Sequence, residues 1–88
     1  MLETKLSVFR PGESGIVHSV DGEARGLAGR LRDLGFTAGT RVTCVCVSPL
    51  GDPVAYRVRG ALIALRREDA AMIRVSPCQS AATEGGYV

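Results

Sequence analysis

Apolar positions along this chain come in short runs separated by glycine, proline and aspartate, and their period changes once. Leu6-Ser7-Val8-Phe9 is a brief apolar opening halted by Pro11-Gly12, a turn pair in which proline presets φ and glycine accepts a positive one. Gly15–Val20 is rich in β-branched residues and reads as the first strand, ended by Asp21-Gly22. Then the spacing becomes helical. Leu27, Leu31 and Leu34 stand four and three apart with Ala24 and Ala28 beside them, predicting one apolar stripe on a helix of about 11 residues. Asp21 or Gly22 is placed to cap its start, with Glu23 in the first turn. Gly35 is placed to end it, with Phe36 folding back onto Leu31. Gly26 and Gly29 each weaken such a helix by roughly 1 kcal/mol.

After the turn Thr37–Thr40, the period returns to two. Arg41–Ser48 is the strongest strand signal, with Val42, Cys44 and Cys46 on one face if no bulge intervenes. Pro49-Leu50-Gly51-Asp52-Pro53 is a loop by composition. Val54–Arg59 alternates, with Val54, Tyr56 and Val58 inward and Arg57 and Arg59 outward. Gly60 permits a tight hairpin into Ala61–Leu65. Arg66–Ala71 holds one helical turn at most, and Met72–Val75 is a last short strand. The expected fold is mainly β: a small, strongly bent antiparallel barrel of about five strands, one helix after the first strand and a short helical turn before the last. Residues 1–75 form that domain, and 76–88 form a flexible polar tail. Leu27, Leu31, Leu34, Val42, Val58, Leu62 and Ile73 are expected in the core.

Composition narrows the uses of such a barrel. Eighty-eight residues, 45% apolar, make one domain with a thin core. Two Phe, two Tyr, no Trp and a net charge of +2 tell against a disordered tail, a dedicated nucleic-acid binder and a stacking platform for single strands. The apolar runs fall far short of the roughly 20 residues of a membrane span. Met1–Lys5 lacks the basic stretch and apolar segment of a signal peptide. Three cysteines, two of them one residue apart, do not make a disulfide framework, so a cytoplasmic setting is expected.

The chain offers little for catalysis. One histidine, no nucleophile elbow and no phosphate loop meet no part of the geometry that an enzyme needs. His18, Cys44 and Cys46 are the weak candidates for a transition-metal site holding iron or zinc. Cys-x-Cys on a regular strand sets its two sulfurs on one side, about 6.5–7 Å apart. A closed zinc site needs a fourth donor, and the ordinary reading of Cys44 is a small core hydrophobe. His18, sharing a face with Ile16 and Val20, reads as a structural histidine. The better candidate is the loop Pro49, Leu50, Gly51, Asp52, Pro53. Two prolines restrict it before binding, and Leu50 is an apolar anchor between them. Asp52 either closes the turn or presents a charge. Arg57 and Arg59, with Arg41 near, form a solvated face or meet an acidic partner.

The segment Arg30-Leu31-Arg32-Asp33-Leu34-Gly35-Phe36-Thr37-Ala38-Gly39-Thr40, the loop Pro49–Val54, the pair Val58-Arg59-Gly60 with Ala64-Leu65-Arg66, and the turn Arg10–Gly15 together resemble the motifs of FeoA-type ferrous iron transport proteins over residues 6–75. The resemblance implies an SH3-like barrel and a non-enzymatic cytoplasmic accessory of ferrous iron uptake. Its implied partner is the cytosolic part of the FeoB-type membrane transporter, which carries a GTP-binding domain. It also implies an association with transition-metal ions, so the alternative is a metal sensor or carrier using Cys44, Cys46 and His18. An SH3-like fold suggests proline-rich peptide binding, but that needs an aromatic-lined groove, and Tyr56 is predicted inward. An exposed edge strand in so small a barrel is open to pairing with a second copy as a homo-oligomer.

Overall fold

A computed structural model describes residues 3–21 and 26–78. The strands are β1 (Thr4–Lys5), β2 (Ser14–Val20), β3 (Arg41–Val47), β4 (Val54–Val58), β5 (Ala61–Leu65) and β6 (Ile73–Pro77). A 3₁₀ turn over Leu6–Val8 follows β1, helix α1 (Leu27–Asp33) follows β2, and helix α2 (Arg67–Ala70) precedes β6. The strands form one antiparallel sheet in the order β1-β6-β2-β3-β4-β5. The five expected strands are present. β1 and the 3₁₀ turn are additional: Thr4-Lys5 is too short and polar to give a strand signal, and the apolar opening Leu6–Val8 takes the form of a 3₁₀ turn with Leu6 buried. β6 runs two residues beyond the expected boundary at Val75, because Ser76 pairs with Ile16 and Pro77 with Gly15. Residues 79–88 of the expected tail lie outside the described residues.

The core is Leu6, Phe9, Val17, Leu31, Phe36, Val42, Cys44, Val54, Tyr56, Val58, Leu65, Ala70, Ile73 and Val75. Gly15 is what lets Phe9 enter it. A Cβ there would stand 2.8 Å from the Phe9 ring and 2.9 Å from the Ser76 carbonyl oxygen. Leu31, Val42, Val58 and Ile73 are buried as expected, while the side chain of Leu27 lies outside the described ones. Leu34 and Leu62 were expected inside and are not, at 41% and 58% exposure. Leu34 is the C-cap of α1, where the apolar stripe has run out and Phe36 takes the buried place. Leu62 sits opposite Arg57 in the β4–β5 register, whereas Ile63 and Leu65 lie opposite Tyr56 and Val54 and face inward.

Helix α1 is shorter than the predicted 11 residues and begins at Gly26, which holds φ +71 and gives no side-chain cap. Asp21 does not cap it. Its carboxylate takes the Arg74 Nε–H at 3.3 Å, and its own N–H donates to the Met72 carbonyl. Gly22 and Glu23 lie outside the described residues. The C-terminus follows expectation. Gly35 adopts φ +113, its N–H donates to the Arg32 carbonyl, and the Phe36 N–H reaches back to the Leu31 carbonyl. This double bond pattern is the Schellman cap.

Two bulges reset the faces of the long strands. In β3 the register against β4 shifts between Cys44 and Cys46. Cys44 stays inward opposite Tyr56, Cys46 turns outward opposite Ala55, and Val47 comes back against the core. In β2 the register against β6 shifts between Val17 and Ser19. Val17 faces the core and Val20 packs against it, so His18 is left exposed rather than sharing their side. The extra residue of a bulge inverts the alternation beyond it.

Candidate functional site

The loop Pro49–Pro53 is held in place from both sides. Within it, the Gly51 N–H donates to the Ser48 carbonyl at 2.8 Å and the Ser48 N–H to the Pro53 carbonyl at 3.2 Å. Gly51 holds φ +89, a conformation most side chains resist, and the Asp52–Pro53 peptide is cis. The turn is therefore closed by backbone, and the Asp52 carboxylate is free for another task. It accepts the backbone N–H of Arg67 at 2.9 Å and lies 3.9 Å from the Arg66 guanidinium. Helix α2 has Arg66 at its N-cap position and no cap of its own, so Asp52 supplies it across the chain.

Arg67 completes the brace. Its Nε–H donates to the Gly51 carbonyl at 2.6 Å and its Nη1 donates to the Ser7 carbonyl at 3.1 Å. One side chain thus ties the loop to α2 and to the 3₁₀ turn after β1. Arg67 is absent from the residues expected to form the site. The available signal was the sequence Arg66-Arg67-Glu68 opening a helix without a capping side chain, which calls for an acceptor from elsewhere. Above this brace Leu50 stands 94% exposed, the most exposed large apolar side chain among the described residues.

Beneath the loop the side chains are buried. Tyr56 and Cys44, opposite each other on β4 and β3, are both fully buried. Burial raises the Cys44 thiol above its ordinary value, and the neighbouring Cys46 and Glu13 add to it, while Arg67 opposes. Burial pushes the Tyr56 phenol up to about 12, with Cys44 and Asp52 adding and Arg67 opposing. Cys44 is thus held as a neutral thiol, which suits a core residue and not a nucleophile or metal ligand.

The expected metal candidates are not brought together. Cys44 is buried, Cys46 is exposed on the outer face, and His18 lies at 3.0 Å from the Glu3 carboxylate through its Nε2. Among the described residues no group of three His, Cys, Asp or Glu side chains is placed to hold an ion. Arg57 projects from β4 between Thr43 and Leu62. Arg59 is not on the strand. It occupies the β4–β5 turn at φ +52, and its stem packs over Gly35. No helix among the described residues is long and apolar enough to cross a membrane.

Against known proteins, the model of the FeoA domain matches residues 4–77. The chain is 40% identical over 80 residues to the Fe(2+) transport protein A/Fe(2+) transporter FeoB fusion protein of Porphyromonas gingivalis. That match takes in 90% of this chain and 9% of the fusion protein, so the chain spans less than a tenth of that relative. The solution structure of the FeoA protein from Chlorobium tepidum superposes with a TM-score of 0.80 at 31% identity, covering 97% of this chain and 81% of that one. The zinc-complexed FeoA of Stenotrophomonas maltophilia, described as a prokaryotic SH3 domain protein, superposes with a TM-score of 0.75 at 33% identity, covering 83% and 89%. The barrel is SH3-like, as the resemblance implied, and agrees with the small antiparallel barrel expected from the element order.

Proposed function

The chain belongs to the FeoA domain family, and on that premise we propose that it is a cytoplasmic regulator that docks on the cytosolic part of a FeoB-type ferrous iron transporter. The family is one of non-enzymatic accessory proteins of ferrous iron transport. The observation that carries the docking reading is Leu50, almost wholly exposed on a loop whose shape is fixed by Asp52 and Arg67 before any partner arrives. An apolar anchor on a pre-ordered loop loses little conformational freedom on binding. Pro49 and Pro53 flank it, Arg66 and Arg67 stand against Asp52 and Gly51 at the loop itself, and Arg57 and Arg59 extend the positive charge along β4 to its far end. The P. gingivalis relative, which joins both kinds of protein in one chain, supports the choice of partner.

Regulation follows if the module binds two transporter states with different affinity, because equal binding shifts no population. The test is capture of the purified cytosolic domain of the transporter by wild type, Leu50→Ala, Leu50→Asp and Arg57→Glu, each first checked for native amide dispersion. Wild type should bind, both Leu50 variants should lose at least tenfold in affinity, and Arg57→Glu should weaken binding in a salt-dependent way. Folded Leu50 variants that bind as tightly as wild type would remove the loop from the interface.

A further inference from the structure

Strand β5 ends the sheet on one side, with β4 as its only strand neighbour. Its connection to β4 is a two-residue turn, Arg59-Gly60, in which both residues have positive φ. This is the I′ geometry, and it makes Val58 and Ala61 a hydrogen-bonded pair. Alternation of the antiparallel ladder then directs the backbone groups of Ala61, Ile63 and Leu65 toward β4. The N–H and C=O of Leu62 and of Ala64 point away from it, along the free edge. Among the described residues neither a backbone nor a side-chain group bonds to them.

Such edges are usually guarded by a charge, a proline or a bulge. Ala61-Leu62-Ile63-Ala64-Leu65 has none of these, and Ala61, Leu62 and Ala64 are exposed. Charge is gathered around the strand instead. Residues 53–67 carry Arg57, Arg59, Arg66 and Arg67 and no acid, while the whole chain is only +2. Arg57 stands directly opposite Leu62, Arg59 is in the turn before β5, and Arg66 follows its last residue. The nearest acids in use are Asp52, engaged by Arg67 and near Arg66, and the helix residues Glu68 and Asp69.

We propose that the β5 edge takes an extended, acidic segment of a partner protein as an added strand, with apolar residues alternating with Asp or Glu. The four outward backbone groups of Leu62 and Ala64 would give the ladder, Leu62 the apolar contact, and Arg57 and Arg59 the charge selection. A second copy of this chain fits less well. Antiparallel self-pairing centred on Ile63 uses the same four groups but brings the Arg59-Gly60 turn of one copy to the Arg66 end of β5 in the other, and both ends are positive, with no acid between residues 53 and 67. The proposal does not depend on the Leu50 loop or on the identity of the transporter.

The experiment is an amide-resolved NMR titration of the full chain with capped decapeptides alternating Val, Ile or Thr with Asp or Glu, and with matched sets carrying Lys or Arg. The acidic set should shift and protect the Leu62 and Ala64 amides, and added salt should weaken it. Ala64→Pro, which removes an N–H that the β4 ladder does not use, should fold and lose at least tenfold in affinity. Arg57→Glu should do the same without touching the edge. Equal response to the basic set, shifts confined to Pro49–Pro53, no shift at millimolar peptide, or occupation of the edge by self-association would each overturn it.

Discussion

The Asp52 carboxylate caps helix α2 by accepting the backbone N–H of Arg67 at 2.9 Å, fifteen positions further along the chain. A short helix has most of its N–H groups unsatisfied, so the cap contributes to both the helix and the loop. Asp52→Ala should lower stability by about 1 kcal/mol, the ordinary worth of an N-cap. Asp52→Asn, which keeps an acceptor oxygen, should lose less. Urea unfolding of the three proteins checks this, and identical midpoints would show that the contact contributes nothing.

Gly35 faces a different demand. Its φ of +113 terminates α1, and a Cβ there would come within 3.3 Å of the Arg59 side chain. Gly39 also has a positive φ, +90, but open space around it. Both alanine variants therefore share backbone strain of about 1–2 kcal/mol, and only Gly35→Ala adds a steric conflict. Gly35→Ala should melt below Gly39→Ala. The flexible Arg59 stem can retreat, so Gly35→Ala in an Arg59→Ala background should recover part of the difference.

Strands β2 to β6, helix α1 and its glycine stop were legible because each is a local pattern: alternation, a four-and-three spacing, a glycine followed by Phe36. The inward placement of Tyr56 was legible for the same reason. What the pattern could not carry was the bulges. One unpaired residue near Val45 turns Cys46 outward and another at His18 brings Val20 back to the side of Val17, and no local signal in Arg41–Val47 or Ser14–Val20 announces them. The site was half visible. Proline spacing marked the Pro49–Pro53 loop, but its brace depends on Arg67 and Ser7, which are brought to it only by closure of the barrel. Residues that act through long-range contact leave no period in the sequence.

The burial differences among leucines predict a graded response. Leu31 is almost fully buried, and Leu31→Ala should cost about 2–5 kcal/mol. Leu62→Ala, on the exposed outer face of β5, should stay within about 0.5 kcal/mol of wild type. The periodic reading places both in the core, so equal losses in chemical denaturation would favour that reading over the register seen here.

Tyr56 makes stability depend on alkaline pH with a defined sign. Its phenol is held at about 12 in the folded chain, mainly by burial, against about 10 when the side chain is solvated. Below pH 10 the phenol is neutral in both states and its contribution is intact. Between pH 10 and 12 the unfolded chain releases the proton while the folded chain keeps it. Stability then falls by about 1.4 kcal/mol per pH unit, for a total of about 2–3 kcal/mol. Above pH 12 both states are ionised and the loss levels off. Burial of the Cys44 thiol contributes its own slope, so the measurement is the difference between wild type and Tyr56→Phe in urea midpoints across pH 9 to 12. That difference should move steadily in favour of the phenylalanine variant. A constant offset would mean that the phenol reaches solvent in the folded protein, and with it that the floor beneath the Leu50 loop is wet.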